Sequence, residues 1–412
     1  ENVILNLKGN AFVLNRAAAR ARLVELAEKY GLQVNPDALI CELSVGEQQR
    51  VEILKALYRN VELLILDEPT GVLTPQETTQ FFDVLRNLKN EGYGIIIITH
   101  RMSEIMAISD RVTILRDGKQ VADLVTAETN PGELSAYMIG RELNESYNIE
   151  GTPKAENMLV MKHVSNDHKH HGRHKIEAID LVIRKGEILG IAGVEGNGQK
   201  ELAEVITGIQ KKKSGQIILD GQDMAGKTIR ERYEAGISYI SEDRLSDSLI
   251  TGMNIIDNLL LRDYKKLPFA KHSIVNRSAM RKNAKEKMQQ YQVRASGKSG
   301  VDTQVRLLSG GNQQKLIIAR ELTDSAKLII ASQPTRGLDI GATEFVRQQL
   351  INQRNAGKAV MLISADLEEI MALSDRIAVL FGGKIVGVLS REEATVQKIG
   401  LLMGGISEEE EK

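Results

Sequence analysis

The sequence predicts an α/β protein in which a mostly parallel sheet is built twice, and three observations support this prediction. An internal repeat keeps one constant register, in which Leu43 aligns with Leu308. Short apolar runs end in polar residues, which is typical of buried parallel strands. A Gly-rich loop between such a run and a helical pattern is typical of a strand–loop–helix unit. A length of 412 residues exceeds what one hydrophobic core usually supports, so two domains, or one complete domain and part of another, are expected.

The composition excludes several classes of protein. Hydrophobic residues make up 42% and charged residues 26%, which fits a folded globular chain and not a disordered one. A net charge of -1 gives no overall positive field, so no nucleic-acid partner is expected. No run reaches the roughly 18 apolar residues of a spanning helix, and the single cysteine excludes an intrachain disulfide. The first residue is Glu1 and not Met, so we expect an upstream segment to be missing from this sequence.

The repeat also predicts the domain organisation. The run LLILDEPT at residues 63–70 aligns with LIIASQPT at residues 328–335, and the same register continues downstream in both halves. Each Leu-Ser element follows a segment rich in Ala, Lys, Arg and Glu that predicts a helix. We expect residues 1–142 to be the C-terminal part of a first domain, 143–157 a polar linker, 158–404 a second domain and 405–412 an acidic tail.

Two carboxylates end the first of the apolar runs. Residues 63–66 predict a buried parallel strand, so Asp67 and Glu68 would lie at the edge of the sheet where ligands bind. An Asp there can hold Mg2+ on the phosphates of a nucleotide, and the following Glu can orient or deprotonate an attacking water. A second run, residues 95–98, would place His100 on the neighbouring strand, within reach of the terminal phosphate. Ordinary strand-end polarity is the alternative interpretation, and the repeat disfavours it.

The Leu-Ser-Gly-Gly element of the second half predicts an anion site. A helical pattern over residues 315–323 follows it, so Ser309 and the N–H groups of Gly310 and Gly311 would face an anion at the positive end of the helix. Phosphate is the natural ligand for such a site. A lone Ser-Gly-Gly is more often a simple turn and cap. Here, however, the element occurs in both halves, each time at the same distance before a matching strand.

The Gly-rich loop at residues 193–200 (GVEGNGQK) fits the phosphate-binding form GxxxxGK[ST] only in part. The lysine that would reach the terminal phosphates is replaced by Gln199, and the hydroxyl residue that would bind Mg2+ is replaced by Lys200. The three glycines nevertheless suit a phosphate cradle. They are Gly193, Gly196 and Gly198.

The second half has also lost the polar strand-end residues of the first half. A hydroxyl is a poor Mg2+ ligand compared with a carboxylate, and a neutral amide cannot act as a base. We therefore expect the second half to bind nucleotide weakly or without turnover. The replacements, in the register of the repeat, are Asp67 by Ser332, Glu68 by Gln333 and His100 by Ala365.

A histidine-rich segment invites a metal-site interpretation. Five of the seven histidines lie between His163 and His174. Imidazole is a common metal ligand, but no carboxylate or cysteine spacing completes a closed site here. A solvated hairpin loop at the edge of the second half is the favoured interpretation.

Together these motifs resemble the ABC ATPase superfamily over nearly the whole chain. Tandem ATPases of carbohydrate-type importers look like this, with LSVG and LTPQE in the first half (residues 43–46 and 73–77) and LSGGNQQK in the second (residues 308–315). The QPTRGLD at residues 333–339 is similar to the nucleoside-importer branch. The resemblance implies P-loop NTPase domains of the ABC type, with a mostly parallel sheet, a helical subdomain and a small antiparallel β subdomain.

The resemblance also implies how the two halves share their sites. Members of the family pair head to tail, so that each ATP lies between the Walker motifs of one half and the signature element of the other. The second site is implied to have a structural or regulatory role. The competent site would join Asp67, Glu68 and His100 to Ser309, Gly310, Gly311 and Gln313, and the second would join Gly193, Gly196, Gly198 and Gln199 to Ser44 and Gly46.

The implied function is that of the ATP-hydrolysing motor subunit of an importer for nucleosides or simple sugars. ATP and Mg2+ are the implied cofactors, and the chain would lie at the cytoplasmic face of the plasma membrane. Its partners would be integral-membrane permease subunits and, through them, an extracytoplasmic substrate-binding protein. Because the Walker A loop of the competent site is absent from this sequence, the chain alone is expected to be poorly active. A soluble tandem ABC protein acting on ribosomes or DNA, and a hydrolysis-deficient remnant, are the alternatives.

Overall fold

The chain, seen in a computed structural model, forms two compact units, Glu1–Leu143 and Asn144–Lys412. No helix in the described part is long and apolar enough to cross a membrane. The predicted acidic tail, apart from Gly405, lies outside the described residues. The structure describes residues 2–5, 15–32, 34–40, 43, 45–59, 61–70, 75–99, 101–116, 118–139, 147–167, 174–194, 196–271, 274–295 and 299–405.

The first unit alternates helices with short strands. Its first helix begins after Asn15, whose side chain accepts a hydrogen bond from the N–H of Ala18 at 3.0 Å, and ends at Gly31 in the left-handed conformation. The elements are α1 (Arg16–Tyr30), α2 (Val45–Tyr58), β1 (Leu63–Asp67), α3 (Pro75–Asn90), β2 (Gly94–Ile98), α4 (Met102–Ile108), β3 (Arg111–Arg116), β4 (Lys119–Val125) and α5 (Pro131–Ile139).

The second unit contains a larger set of elements and two sheets of four or more strands. They are β5 (Asn157–Asn166), β6 (Ile179–Arg184), β7 (Ile188–Ala192), α6 (Gln199–Thr207), β8 (Lys212–Leu219), β9 (Gln222–Asp223), α7 (Ile229–Glu234), β10 (Ile237–Ile240), α8 (Ile255–Leu259), β11 (Ala270–Lys271), β12 (Ile274–Val275), α9 (Arg277–Gln290), α10 (Gly310–Glu321), β13 (Leu328–Ser332), α11 (Ile340–Asn355), β14 (Ala359–Ile363), α12 (Leu367–Leu373), β15 (Arg376–Phe381), β16 (Lys384–Ser390) and α13 (Val396–Met403).

The main sheet of the second unit positions the candidate site. Its strand order is β10-β13-β14-β7-β15-β16, and only the β15–β16 pair is antiparallel. Every residue of β7, β13 and β14 is buried, so these strands form the centre of the core. A second, four-stranded antiparallel sheet has the order β6-β5-β8-β9. The predicted α/β class, with a mostly parallel sheet and a small antiparallel one, is confirmed.

The sequence repeat is reproduced by the secondary structure. In the register that aligns Leu63 with Leu328, β1, α3, β2, α4, β3 and β4 coincide at both ends with β13, α11, β14, α12, β15 and β16. Even the irregularity in the β3–β4 ladder, between Ile114 and Leu115, recurs between Val379 and Leu380. The two halves therefore share their backbone fold in this region, whatever their chemistry.

The prediction of a buried strand at residues 63–66 is wrong for alternate residues of β1. Leu63 is 50% exposed and Ile65 is 63% exposed. The cause is the extent of the sheet, because in the described part of the first unit β1 pairs with β2 in a two-stranded parallel sheet. The matching strands of the second unit lie between β10 and β7 and are covered on both faces.

The described part of the predicted linker, residues 147–157, is bound to the C-terminal end of α11. The Nη2 of Arg354 donates to the carbonyl oxygen of Gly151 at 3.0 Å. The side-chain amide of Asn355 donates to the carbonyl oxygen of Asn148 at 3.0 Å. These residues are therefore an ordered border of the second unit.

Candidate functional site

The two predicted carboxylates lie together at the end of β1. Asp67 is the last residue of that strand, in register with Ile98 of β2, and the side chains of Asp67 and Glu68 are exposed. The prediction that the two apolar runs form neighbouring strands is thus confirmed. Glu68 has a φ of 43°, a left-handed conformation that few residues with a side chain adopt. Its N–H donates to the carbonyl oxygen of Ile98 at 2.8 Å, which holds the turn in place.

The second unit keeps this backbone geometry without its carboxylates. Gln333 has a φ of 46°, and its N–H donates to the carbonyl oxygen of Ile363 at 2.7 Å. Its side-chain oxygen accepts a hydrogen bond from the N–H of Ala365 at 3.2 Å. Ser332, the last residue of β13, is buried. The shape of the strand end is therefore common to both halves, whereas its acidic groups belong to the first half.

A buried carboxylate beside this strand end was missed by sequence reasoning. Glu104 is 3% exposed and accepts hydrogen bonds from the hydroxyls of Thr70 and Thr99, the latter at 2.8 Å. Arg101 adds an ion pair at 3.3 Å. Glu104 thus connects the loop after β1 to the segment after β2. The repeat carried the signal, because it aligns Glu104 with another acidic residue, Glu369.

The Gly-rich loop (residues 193–200) is closed by its own side chains. The amide nitrogen of Gln199 donates to the carbonyl oxygen of Val194 at 2.8 Å. The side chain of Asn197 donates to the same carbonyl at 3.1 Å and accepts a hydrogen bond from the N–H of Gly382 at 2.9 Å. The side chain that stands in the place of the phosphate-binding lysine therefore folds back onto the loop.

The predicted glycines of this loop are required by packing. Gly196 and Gly198 have φ values of 92° and 104°, which favour glycine. A Cβ atom at Gly193 would lie 2.6 Å from the carbonyl oxygen of Leu380, and one at Gly198 would lie 2.8 Å from a methyl carbon of Ile176. The close approach of the surrounding chain thus accounts for these glycines without a bound phosphate.

Acidic side chains surround the start of α6. Lys200 lies 3.9 Å from Glu204 and 3.7 Å from Asp247, so its charge faces carboxylates. Burial raises the pKa of Tyr239, and nearby carboxylates raise it further because they oppose a second negative charge. The carboxylates that act on Tyr239 belong to Glu204, Asp247, Glu242 and Glu201.

The signature element of the second unit (residues 308–315) lies at the start of α10. The helix begins at Gly310 and not at residue 315 as predicted, because Ser309 itself is the N-cap. The Ser309 hydroxyl accepts a hydrogen bond from the side-chain amide of Asn312 at 2.9 Å. Gln313 is 8% exposed and donates to the carbonyl oxygen of Val305 at 3.3 Å. Gly310 and the neighbouring Gly311 therefore form the first turn, where helix N–H groups have no intrahelical partner.

For some predicted site residues, the sequence gives their position but the structure does not describe their side chains. His100 and Ser44 lie outside the described residues, and the structure gives only the position of Gly46 within α2. The same holds for three members of the histidine-rich segment, namely His168, His170 and His171, which also lie outside the described residues.

The end of β1 suits a hard cation such as Mg2+ that is coordinated mainly by phosphate oxygens and water and only in part by the protein. Within the described ranges, no group of three His, Cys, Asp or Glu side chains could form a metal cage. Mg2+ does not need such a cage, since it is commonly held by one or two carboxylates together with phosphate oxygens and water. The exposed carboxylate of Asp67 at the end of β1 fits that kind of site.

Comparison with known proteins agrees with these observations. The family described as ABC transporter matches residues 2–71 and 176–336. The nucleoside import ATP-binding protein NupA of Lactococcus lactis is 42% identical over 406 residues, which cover 98% of this chain and 79% of that protein. The guanosine import ATP-binding protein NupO of Bacillus subtilis is 44% identical over 412 residues, 100% of this chain and 80% of that protein.

A third relative extends the range of named substrates. The ribose import ATP-binding protein RbsA of Clostridium tetani is 37% identical over 403 residues, which cover 97% of this chain and 78% of that protein. The family match also confirms the predicted P-loop NTPase fold of the ABC type. The chain belongs to the ABC transporter family, as one of its ATP-binding and ATP-hydrolysing subunits.

Proposed function

We propose that this chain couples ATP hydrolysis to the import of nucleosides or simple sugars. The names of its relatives support this substrate range. Nucleosides are favoured, because the nucleoside and guanosine relatives share 42% and 44% identity with the chain, against 40% for a glucose import relative and 37% for the ribose relative.

In this proposal, the end of β1 supplies the chemistry of hydrolysis. Asp67 would hold Mg2+, which would neutralise charge on the phosphates. Glu68 positions the attacking water and accepts its proton, and His100 contacts the terminal phosphate. The signature element of the second unit contributes Ser309 and the helix N–H groups of Gly310 and Gly311 to the same ATP.

One observation carries the proposed role of Glu68. Its left-handed backbone, with a φ of 43°, costs about 1 kcal/mol or more for a residue with a side chain. Such conformations are retained where a side chain must point in one direction, and they cluster at functional sites. Gln333 has the same geometry, with a φ of 46°, so the backbone is common to both strand ends. The role of Glu68 therefore also requires its exposed carboxylate beside Asp67.

The Gly-rich loop of the second unit is proposed to bind ATP weakly and without turnover. Three features support this: the hydrogen bond from Gln199 to Val194, the pairing of Lys200 with carboxylates, and the exchange of the catalytic glutamate for Gln333. The 412 residues by themselves are also proposed to hydrolyse ATP slowly, because they do not include the Walker A loop of the competent site. The second unit then serves the competent site through its signature element, and its own site is structural or regulatory.

The proposed partners are integral-membrane permease subunits, and through them an extracytoplasmic substrate-binding protein. The chain would work at the cytoplasmic face of the plasma membrane. The import function in the names of the relatives supports this arrangement, because import requires a path across the membrane. No nucleic-acid partner is proposed for a chain with a net charge of -1.

Glu68→Gln in the complete importer, with its permease, tests the proposal. The amide keeps the size and removes the basicity, so we expect ATP binding to persist and hydrolysis to fall by at least about 100-fold, the lower range of a general base contribution. Asp83→Asn is a matched control, since this exposed carboxylate on α3 pairs with Arg86 and lies away from the strand end. Wild-type turnover in Glu68→Gln would refute the assignment.

A further inference from the structure

Arg244 is a half-buried arginine whose guanidinium is not fully hydrogen-bonded within the described part of the chain. It begins a single π-helical turn, residues 244–248, that follows β10. Its Nη1 atom is buried and has no hydrogen-bond partner in the described part of the chain. Burial lowers the pKa of Arg244, since low polarity disfavours its charged form. An arginine nevertheless stays protonated in proteins, so the structure holds an incompletely satisfied cation here.

The acidic groups next to Arg244 are used elsewhere. Glu242 forms an ion pair with Arg336. Asp243 accepts hydrogen bonds from the N–H groups of Leu245 and Ser246, both at 2.9 Å. Both neighbouring carboxylates thus have other partners. The negative charge of Asp243 favours the charged guanidinium, but neither carboxylate accepts a hydrogen bond from Nη1.

Arg244 lies against the signature element. Both terminal nitrogens of its guanidinium are 3.7 Å from the point that a Cβ of Gly310 would occupy. One of them is also 3.6 Å from the corresponding point at Gly337, in the loop that follows β13. The guanidinium therefore lies beside the first turn of α10, at contact distance from both glycines.

The first turn of α10 and Arg244 attract the same kind of ligand. The N–H groups of Gly310 and Gly311 have no intrahelical partner, and they lie at the positive end of a 12-residue helix. The Ser309 hydroxyl accepts from Asn312, and a hydroxyl that accepts still has its proton to donate. An arginine beside these donors adds the bidentate geometry that suits phosphate oxygens.

We propose that Arg244 is a further ATP-binding residue of the competent site, which contacts the terminal phosphate from the side of the signature element. This inference rests on the proposed function, since it requires ATP to meet Ser309 and Gly310. Bound phosphate would supply a further hydrogen-bond partner to the guanidinium, whose Nη2 lies near both Gly310 and Gly337. The two glycines beside the guanidinium would leave room for the phosphate oxygens to approach it.

The test compares ATP with ADP in the complete importer, in a Glu68→Gln background that stops turnover. Arg244→Met keeps the aliphatic stem and removes the charge. We expect this variant to weaken ATP binding about 10-fold to 100-fold, which is the value of a hydrogen bond to a charged group. ADP lacks the terminal phosphate, so its affinity should change less than about twofold. Arg244→Lys keeps the positive charge but lacks the bidentate geometry of the guanidinium, so it should recover part of the ATP affinity.

Arg306→Met is the matched control. Arg306 is exposed just before the signature element, and its Nε donates to the side-chain oxygen of Gln304 at 2.9 Å. We expect it to leave both affinities unchanged. Equal losses for ATP and ADP in Arg244→Met, or unchanged ATP affinity with an unchanged melting temperature, would overturn the inference. Failure of the proposed function is distinguishable, because it would show as wild-type turnover in Glu68→Gln alone.

Discussion

Among single residues, Glu104 links the candidate catalytic carboxylates to the adjoining strand. Its two oxygens accept from the hydroxyl of Thr70, just after Glu68, and from that of Thr99, just after β2. In the second unit the aligned Glu369 instead accepts from Arg347 at 3.2 Å, and its other oxygen is buried without a partner among the described residues. The connection between the two strand ends by threonine hydroxyls is therefore a property of the first unit.

Glu104→Ala should destabilise the first unit and lower its activity. The change leaves the hydroxyls of Thr70 and Thr99 without their acceptor in a buried place. We expect the free energy of unfolding of this unit to fall by about 1–3 kcal/mol, the cost of unsatisfied buried polar groups. Urea titration followed by circular dichroism measures it. Glu52→Ala, on an exposed side chain paired with Lys55, should cost less than about 0.5 kcal/mol. Equal effects of the two changes would contradict this prediction.

Among the structural elements, α6, the helix that follows the altered Gly-rich loop, is capped at its C-terminal end by a buried arginine. At its far end, the buried guanidinium of Arg232 donates to the carbonyl oxygens of Val205 and Ile206, at 2.9 and 2.7 Å, and to that of Met224 at 3.1 Å. Carbonyls in the last turn of a helix lack intrahelical partners and carry partial negative charge. Arg232 on α7 therefore caps α6 and ties it to the loop before α7.

Arg232→Met should destabilise the second unit. Four carbonyl oxygens, including that of Lys227, lose a charged donor, so we expect a loss of roughly 2 kcal/mol or more in the free energy of unfolding. Differential scanning calorimetry of the variants gives the comparison. Arg230→Met is the control from the same helix, because Arg230 is 52% exposed and pairs with Glu234. That control should stay within about 0.5 kcal/mol of the wild type. A capping role is disproved if both variants melt alike.

Local pattern predicted the elements better than it predicted their surroundings. The apolar runs and the repeat identified β7, β13 and the site strand β1, since these signals can be read from the local sequence. The exposure of Ile65 depends on which strands flank β1, and the roles of Arg232 and Arg244 depend on contacts distant in sequence. Periodicity contains no such information. The left-handed φ of Glu68 likewise could not be predicted, because the sequence has no glycine there to indicate it.

Across the whole molecule, the two halves combine one backbone fold with two chemistries. Six elements of each half coincide in their bounds, and both strand ends carry the same left-handed residue. The side chains differ where phosphate chemistry would need them: the first unit has Asp67 and Glu68, and the second has a closed loop beside acidic groups. The two halves share their backbone shape and part of their burial. The difference in their nucleotide chemistry therefore depends on a few polar residues and should be partly reversible.

The double variant Gln199→Lys and Lys200→Thr tests this reversibility. It removes the amide that donates to Val194 and the lysine that faces Glu204 and Asp247, and it restores the cation and the hydroxyl of a phosphate-binding loop. Residues 193–200 are the Gly-rich loop of this form within the 412 residues, so ATP binding by this chain should report on them. We expect calorimetric titration to show ATP affinity at least about 10-fold above wild type, the value of one charge-assisted contact.

Hydrolysis should not return in the double variant, because Gln333 still occupies the place of the base. Lys213→Thr, on the exposed part of β8, is the control and should leave the affinity at the wild-type value. Wild-type binding as tight as that of the double variant would show that closure by Gln199 does not weaken the site. ATP hydrolysis by the double variant would show that Gln333 is not the cause of the absence of hydrolysis in the second unit. The two outcomes separate the contribution of the loop after β7 from that of the end of β13, two strands that β14 separates in the main sheet.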